Sequence, residues 1–579
     1  MTSTCVCKAT TRPSSSPSEP RPRPSGRGQG SGRDRPPIET RVLIVGAGPV
    51  GLTLALDLGR RGVSCLLIER EPGTIQLPRM ERCNPRTMEI FRRLGIAEAV
   101  REAGLPRDAP MDVFLTPSLA GPPLVQLPYP SVAQAQAEIA AHNDGRPLEP
   151  SQVISQYTLE PLLRSFVERL PGVQVRFGWE LISLVPEPGS VVARVRTDDG
   201  ALVRVYAAYV VGCDGGSSTV RHQVGVRLEG EGGIRTLRQA LFRSDDLYPR
   251  IPIGRGRHYH VVQPGFPFLI LQDDTRHWTL HHPADEDAEM APVFERAVGM
   301  PVGYELRSVN RWTQHLLCAE RYRVGRVFIA GDAAHLVVPT GGLGMNTGVG
   351  DAIDLSWKLA AVLAGWGGPG LLEAYEQERR PIGLRSLRAS RAAMEGRERW
   401  RRAPTSEEMA RRFDREQRKV TEILGIEAGY RYVDSPLIWP EAGEGPDPDS
   451  PRYVPTTWPG ARLPHVWLRD GGALHDRLGQ GYTLLRLGGT RADTQGLERA
   501  IRALGAPLEV LDVPDPAARD LYQRDLILVR PDLHVVWRGD RPPDDPRRLA
   551  AVATGRLPAR ERPTATSPTT GDRIGAGGS

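Results

Sequence analysis

Cysteine is scarce in this sequence. The 579 residues include six cysteines, none after residue 318, and only Cys5-x-Cys7 has close spacing. Histidine pairs such as His258-x-His260 are not joined by cysteines or by clustered carboxylates. Isolated thiols are typical of a reducing compartment, and a metal site needs grouped ligands. We therefore predict free thiols and no metal site.

Long apolar runs are also absent. A membrane span needs about 20 predominantly apolar residues, and no segment offers them without interruption. Residues 1–37 consist mainly of Ser, Pro, Gly and Arg and lack the apolar core of a secretory signal. Such a composition cannot bury enough surface to offset the entropy of ordering. We predict disordered tails at residues 1–39 and 561–579, and a cytoplasmic protein without a membrane span.

The folded part carries little net charge. Of the total of +6, residues 1–39 contribute +4, because seven basic residues there face three acidic ones. The other 540 residues carry only +2. Proteins that bind nucleic acids usually show a clustered basic face on a folded domain. We therefore expect no nucleic-acid partner, and the length predicts several domains.

A complete dinucleotide-binding pattern is present near the start. An aliphatic run at residues 41–45 precedes Gly46-Ala-Gly48-Pro-Val-Gly51, a helical pattern, and a second apolar run that ends at Glu69. Gly46 permits the tight turn, Gly48 lets the backbone approach a pyrophosphate, and Gly51 allows close packing of helix and strand. A carboxylate at Glu69 would bind a ribose but repel a 2′-phosphate. The pattern favours FAD or NAD over NADP as the bound nucleotide.

A second informative stretch runs from Arg326 to Gly348. An apolar strand at residues 327–330 leads into Gly331-Asp332 and a glycine-rich loop, after which apolar positions recur with helical spacing. The first amides of that helix would face the loop, and such amides bind anions or electron-rich rings. We predict that a polar, planar group binds there.

Together with the segment from Asp214-Gly215 to Arg221, these two stretches resemble the three flavin motifs of class A flavoprotein aromatic hydroxylases. The resemblance covers residues 40–560 and includes phenol-hydroxylase-like members, which add a C-terminal domain. It implies that FAD is the cofactor. The cofactor-binding residues that it implies are Gly46, Gly48, Pro49, Val50, Gly51, Glu69, Arg70, Arg79, Gln156, Asp214, Gly331, Asp332, Pro339, Gly342, Gly344, Met345 and Asn346. The alternatives are a surface role for Arg79 and a helix-start role for Gln156.

The resemblance also implies a reaction. NADPH or NADH would dock transiently to reduce the flavin, and O2 would form a flavin C4a-hydroperoxide that hydroxylates a phenolic or polyketide-like ring. The motifs do not separate hydroxylation from Baeyer–Villiger or epoxidation chemistry. A non-catalytic nucleotide-fold binding protein is the alternative of another class.

The substrate is expected to bind against a middle sheet. Residues 224–314 contain short apolar and aromatic segments, and in the resembled family such a layer covers the flavin. Glu81 stands where relatives place an acidic residue that contacts substrate, so we predict that it assists phenol deprotonation; a solvated surface position is the alternative. The candidate pocket residues are His258, His260, Phe266, Phe268, Trp278 and Trp312.

The predicted fold class is α/β with an α+β insertion. We expect an FAD-binding, Rossmann-like domain of the glutathione-reductase type, formed by residues 40–223 and 315–440, with an inserted β-sheet substrate domain at 224–314. A linker at 441–464 leads to a thioredoxin-like domain at 465–560. Because no cysteine follows Cys318, that domain cannot carry out dithiol chemistry, and we expect a structural role or a homodimer contact.

Overall fold

The computed structural model describes residues 35–559. The predicted tails lie outside the described residues, except for residues 35–39. The predicted N-terminal tail, residues 1–39, extends too far toward the folded part. Ile38 and Glu39 already belong to the first strand, where they pair with Val205 and Tyr206.

The strands form three main sheets and one short ribbon. They are β1 (Ile38–Val45), β2 (Cys65–Glu69), β3 (Arg82–Cys83), β4 (Val113–Thr116), β5 (Val125–Leu127), β6 (Gln152–Val153), β7 (Val173–Phe177), β8 (Glu180–Glu187), β9 (Ser190–Arg196), β10 (Leu202–Gly212), β11 (Leu228–Arg243), β12 (His258–Val261), β13 (Phe268–Leu271), β14 (His277–His282), β15 (Glu305–Ala319), β16 (Arg323–Val324), β17 (Val327–Ile329), β18 (His335–Leu336), β19 (Tyr482–Leu487), β20 (Leu508–Val513), β21 (Leu526–Val529) and β22 (Val535–Gly539).

The helices cover the sheets and connect them. They are α1 (Pro49–Arg60), α2 (Pro85–Arg93), α3 (Ala97–Ala103), α4 (Val132–Ala141), α5 (Gln156–Val167), α6 (Thr219–Gln223), α7 (Leu247–Arg250), α8 (Met290–Val298), α9 (Gly344–Leu363), α10 (Gly370–Arg401), α11 (Ser406–Thr421), α12 (Leu424–Ala428), α13 (Gln495–Ala503), α14 (Pro516–Tyr522) and α15 (Pro546–Ala553). Short 3-10 turns lie at Asp287–Glu289, Gly331–Ala333 and Leu474–Arg477.

The first sheet has a parallel centre in the order β17-β10-β1-β2-β7. Val42 to Val45 of β1 are all buried, as expected for a strand covered on both faces. Helix α1 starts after Gly48 with Pro49 at its first position and is buried from Pro49 to Leu58. Each aliphatic side chain buried in this way stabilises the fold by roughly 1.5–3 kcal/mol.

The second sheet is larger than the sequence predicted. Its order is β18-β15-β11-β14-β13-β12-β4-β5. Strands β11 to β14 and most of β15 come from the predicted insertion at 224–314, but β4, β5 and β18 come from the parts of the chain assigned to the first domain. Strand β4 pairs in parallel with β12, where Val113 lies opposite His258. The boundary differs because a strand of only four residues, whose partner lies far along the chain, has no local signal of the sheet that it joins.

The C-terminal region is a separate α/β module. Its sheet has the order β20-β19-β21-β22, in which β19 is parallel to β20 and antiparallel to β21. Helices α13, α14 and α15 accompany it.

A buried group of charges joins this module to the first domain. The fully buried Arg530 donates to Glu378 Oε1 over 2.6 Å and to Asp354 Oδ1 over 3.1 Å, and it also pairs with Asp532. Lys358 donates to both Asp354 and Glu378. Asp354 and Lys358 lie on α9 and Glu378 on α10, so two long helices of the first domain are tied to the C-terminal module. This packing supports the structural role expected for the module.

Within residues 35–559, none of the helices is long and apolar enough to cross a membrane.

Candidate functional site

Four parallel strands end at the same edge of the first sheet. Ile68, Val45, Gly212 and Ile329 lie side by side in register across β2, β1, β10 and β17. Each is followed within three residues by a predicted site residue. In open α/β sheets ligands bind at this edge, outside the carboxyl ends of the strands.

The glycine turn after β1 leaves room for a ligand at one position only. Gly46 has φ +103°, and a Cβ on it would lie 2.4 Å from Cys213 O. A Cβ on Gly51 would lie 2.0 Å from Gly46 O. A Cβ on Gly48 would point into open space, with its nearest neighbour, Glu160 Oε1, 3.9 Å away. Gly46 and Gly51 are therefore needed by the fold, whereas Gly48 keeps space free beside the start of α1.

Glu69 lies at the end of β2 and faces the same space. Its Oε2 accepts from Ala47 N over 2.9 Å, and its Oε1 accepts from Glu71 N over 3.0 Å. These two bonds fix the carboxylate beside the glycine turn. Arg70 also lines the space, where it forms a long ion pair with Glu71.

Asp332 follows β17 and has no hydrogen-bond donor within reach among the described residues. Burial raises the pKa of its carboxyl group, against the lowering effect of His335 and Arg79. Although the residue lies deep in the molecule, its side chain is exposed to the cavity. An isolated acid in this position is suited to accept hydrogen bonds from a bound ligand.

The turn that carries Asp332 is held in place by Asp351. Asp351 Oδ2 accepts from Gly331 N over 3.1 Å and from His335 Nε2 over 2.8 Å, while Oδ1 accepts from Arg379 Nε over 2.8 Å. The side chains of Asp351, His335 and Arg379 are all buried. Because Asp351 belongs to α9, the turn and the start of this helix move as one unit.

The start of α9 faces the cavity with its backbone. Thr347 N bonds back to Leu343 O, so the amides of residues 344–346 precede the first such helical bond. The side chain of Asn346 is occupied, since Oδ1 accepts from Asn84 N and Nδ2 donates to Arg82 O. A ligand therefore meets the amides here, while Asn346 fixes their position.

Three further predicted residues lie around the cavity with different local partners. Arg79 is exposed and lies near Asp332. Gln156 starts α5 and donates to Glu160 Oε1 over 2.6 Å. Asp214 accepts from Ser218 Oγ and from Val220 N, and thereby holds the start of α6.

The site surrounds one continuous cavity of about 1600 Å³. Every predicted cofactor-binding residue lines it except Gly51 and Gly331, which lie behind its wall. Small-molecule sites usually have about 300–1,000 Å³. The cavity thus has room for a dinucleotide and a second molecule.

The far end of the cavity lies against the second sheet. Glu81 lines it, and its Oε1 accepts from His258 Nε2 over 2.8 Å, so the alternative of a solvated surface residue does not hold. Phe266, Phe268 and Trp312 line the wall as predicted.

Two predicted pocket residues do not reach the cavity. Trp278 is fully buried in the core on the other face of β14, because side chains alternate along a strand and Thr279 and His281 face the cavity. His260 shares a face with His258 but is covered by Trp400 and Phe413. The alternation of side chains along β14 could have shown that Trp278 does not line the cavity. No local sequence pattern predicts that Trp400 and Phe413 cover His260.

Sequence reasoning also missed two arginines in the wall. Arg257 precedes β12 and is 8% exposed, and Arg397 lies near the end of α10. Arginine is common in this chain, and neither residue belongs to a motif, so the sequence offers no signal for them.

The residues present fit FAD. Gly48 leaves space at a helix start for a pyrophosphate, Glu69 stands where a ribose would bind, and Asp332 is an unpartnered acid where hydroxyl groups would lie. The amides at the start of α9 would meet the polar edge of the flavin ring. Among residues 35–559 no group of three or more His, Cys, Asp or Glu side chains has the arrangement of a metal site.

The fold and this cavity define an FAD-binding protein with a second, substrate-sized space. Comparison with known families agrees: residues 39–390 match an FAD binding domain, and residues 456–557 match the C-terminal domain of aromatic-ring hydroxylases. The chain belongs to the FAD-dependent aromatic-ring hydroxylases, and it is an FAD-dependent monooxygenase that hydroxylates aromatic compounds.

Similar proteins are known along nearly the whole chain. The FAD-dependent monooxygenase apdD of Emericella nidulans is 34% identical over 569 residues, covering 89% of this chain and 90% of the relative. The rebeccamycin biosynthetic enzyme RebC, solved with reduced flavin, is 33% identical with a TM-score of 0.83, covering 90% of this chain and all of RebC. Aklavinone-11 hydroxylase, solved with FAD and aklavinone, is 30% identical with a TM-score of 0.78, covering 90% of this chain and 99% of that enzyme.

Proposed function

We propose that this enzyme hydroxylates a phenolic compound of several fused rings, of the polyketide type, with O2 as co-substrate and NADPH or NADH as reductant. The observation that carries the proposal is the extent of the cavity of about 1600 Å³, which is lined both by Gly48 of the glycine turn and by Phe268 and Trp312 of the aromatic wall. The solved complex of the similar aklavinone-11 hydroxylase holds FAD and aklavinone, which supports a large ring system as the substrate here.

The predicted residues would divide the cofactor between them. The turn with Gly46, Gly48 and Gly51 leaves the pyrophosphate in contact with backbone amides, and Glu69 accepts hydrogen bonds from the ribose. Asp332 accepts them from the ribityl chain. The amides at the start of α9 would face the flavin ring and would stabilise negative charge there. Bound FAD supplies the activated oxygen; the chain orients the substrate and excludes water.

Glu81 would accept a hydrogen bond from the substrate hydroxyl. Burial acts to raise the pKa of Glu81, but His258 and Arg257 lower it to about 2. For His258 burial dominates and lowers the pKa, so at neutral pH the pair consists of a carboxylate and a neutral imidazole that donates. A carboxylate held ionised accepts a hydrogen bond from the phenol, and this bond orients the ring and makes it more electron-rich. Because its pKa lies far below neutral, Glu81 polarises the hydroxyl group and does not keep its proton.

The test is a screen with purified enzyme that has been reconstituted with FAD. Oxidation of NADPH and of NADH is followed in the presence of phenolic anthraquinones and larger fused phenols, and the product is identified by mass and NMR. We expect a hydroxylated ring. Stimulated oxidation that yields only hydrogen peroxide, or an oxygen inserted into a carbon–carbon bond, would contradict the proposal. The predicted homodimer is tested on the same sample by its mass in solution.

A further inference from the structure

Arg397 lies at the substrate end of the cavity. Arg397 faces the cavity, and no carboxylate within residues 35–559 forms an ion pair with it. Neighbouring arginines on α10 are paired: Arg399 with Glu416 over 2.8 Å and Arg401 with Glu398 over 3.2 Å. Arg397 is therefore the unpaired cation in a row of paired ones.

The guanidinium of Arg397 is held against the aromatic wall. Its Cζ lies over the ring of Phe268, 5.1 Å from the ring centre. The same ring packs edge-on against His258 at 5.1 Å, and His258 binds Glu81. A cation over an aromatic face keeps its N–H donors free at the rim. Arg397 is thus presented to whatever lies beside the Glu81–His258 pair.

The surroundings leave an excess of positive charge. Arg257 also lines the cavity, its side chain forms no hydrogen bond, and its buried Nε is unpaired. Burial lowers the pKa of Arg257 to about 10 and that of Arg397 to about 9, so both stay charged at neutral pH. His281 is neutral there, because burial lowers its pKa to about 4. Arg257 and Arg397 are thus two charged arginines without an ion pair beside the single carboxylate of Glu81. Glu395 and Glu398 also line the cavity, but Glu398 is already paired with Arg401.

We propose that the aromatic substrate carries an anionic oxygen substituent, in the simplest case a carboxylate, and that Arg397 binds it while the ring system packs along Phe268. This inference rests on the proposed function, because it places a substrate at the far end of the cavity. It makes Arg397 a specificity-determining residue: neutral analogues of the same shape would leave the cation without a partner.

A phosphate of the reducing dinucleotide is the other source of negative charge. The position of Arg397 favours the substrate, since it lies over Phe268 in the aromatic wall, next to the Glu81–His258 pair. The experiment therefore measures both ligands.

The test uses the full-length enzyme with FAD bound, at neutral pH. The probes are an anthraquinone carboxylate and the matching carboxamide, and binding is followed by the change in flavin absorbance. We expect wild type to bind the carboxylate at least about tenfold more tightly. Arg397→Met should abolish this preference while binding of the carboxamide is kept, and Arg397→Lys should retain part of it.

Arg388→Met is the matched control. Arg388 lies on the same helix, pairs with Asp449 at the surface and does not line the cavity, so its loss should leave the preference unchanged. FAD content shows whether each variant is folded. The proposal is overturned if wild type does not distinguish the probes, or if Arg397→Met keeps the preference. A weaker apparent affinity for NADPH with an unchanged probe preference would assign Arg397 to the nucleotide and overturn it too.

The inference and the proposed function fail in different ways. Hydroxylation of neutral fused phenols without any preference for anionic ones would leave the function standing and remove the inference. If neither anthraquinone binds and no fused phenol is hydroxylated, the substrate class itself is wrong, and the inference falls with it.

Discussion

Glu81 Oε1 accepts a hydrogen bond from His258 Nε2 over 2.8 Å, although 177 positions separate the two residues along the chain. Glu81 comes from the segment that leads from the glycine-turn region to α2, and His258 starts β12 of the second sheet. The bond therefore connects the two domains inside the cavity and fixes the carboxylate where a substrate would lie.

Loss of this bond should move the acid side of the pH profile. In wild type the pKa of Glu81 is lowered from 4.5 to about 2, so the carboxylate stays ionised far into the acid range. In His258→Leu the imidazole no longer opposes burial, although Arg257 remains, so we expect the pKa of Glu81 to rise. The fall of kcat/KM toward low pH, measured on a phenolic substrate, should then begin at higher pH. Glu81→Gln is the control, since it should remove this fall of kcat/KM at low pH and lower the rate at every pH. If the fall begins at the same pH in His258→Leu as in wild type, Glu81 is not its origin.

Substitutions of Gly48 and of Gly51, near the start of α1, should be harmful for different reasons. Gly48 has φ −71°, which any residue adopts, and a side chain there would enter open space. We expect Gly48→Val to fold but to lose FAD, seen as a colourless protein with a normal circular dichroism spectrum. Gly51→Val should misfold, because its Cβ would meet Gly46 O at 2.0 Å. Gly121→Ala, in an open loop, serves as the control and should stay yellow; FAD retained by Gly48→Val would place the pyrophosphate elsewhere.

Replacing Asp332 should weaken FAD binding and stabilise the protein that lacks FAD. Burial raises the pKa of Asp332, so without ligand the folded state binds protons more strongly than the unfolded one and loses stability as pH rises. Asp332→Asn removes this cost, and its apoprotein should unfold at a higher temperature than wild type at neutral pH. The difference should vanish at low pH, where the wild-type acid is protonated. FAD affinity should fall about tenfold or more. Equal FAD affinity would show that no ribityl hydroxyl depends on this carboxylate.

Removing Arg530 should separate the C-terminal module from the first domain. The change Arg530→Met leaves Asp354 and Glu378 buried with Lys358 as their partner and Asp532 with His534. Breaking a buried ion pair in this way costs about 3–5 kcal/mol. Denaturant unfolding should show lower stability and a separate early transition for the module. Arg486→Met, which removes a surface pair with Asp512, should cost less than about 1 kcal/mol; equal effects of the two changes would mean that the buried network does not hold the module.

The parts of the site that sequence predicts are those built within one short segment. The turn from Gly46 to Gly51 and the acid Asp332 both follow directly from an apolar strand, and parallel pairing brings strand ends to one edge. Their placement around one cavity could therefore be expected from the order of the motifs.

The substrate end could not be predicted in the same way. Its wall combines Glu81 with strands that pair across more than a hundred positions, such as β4 with β12. Which histidine faces the cavity depends on the cover that Trp400 and Phe413 provide. Arg397 has no acidic partner within residues 35–559. These contacts are set by long-range packing, for which one sequence holds no local pattern.

The ion network around Arg530 also limits how this family can be recombined. A C-terminal module taken from a relative would need a basic residue at the position of Arg530, where it can pair with Asp354 and Glu378. It would also need an acidic residue at the position of Asp532. A module with a neutral residue at that position would leave Asp354 and Glu378 buried without the partner that Arg530 provides. Exchange of these modules between enzymes should therefore succeed only when the charges on α9 and α10 are exchanged with them.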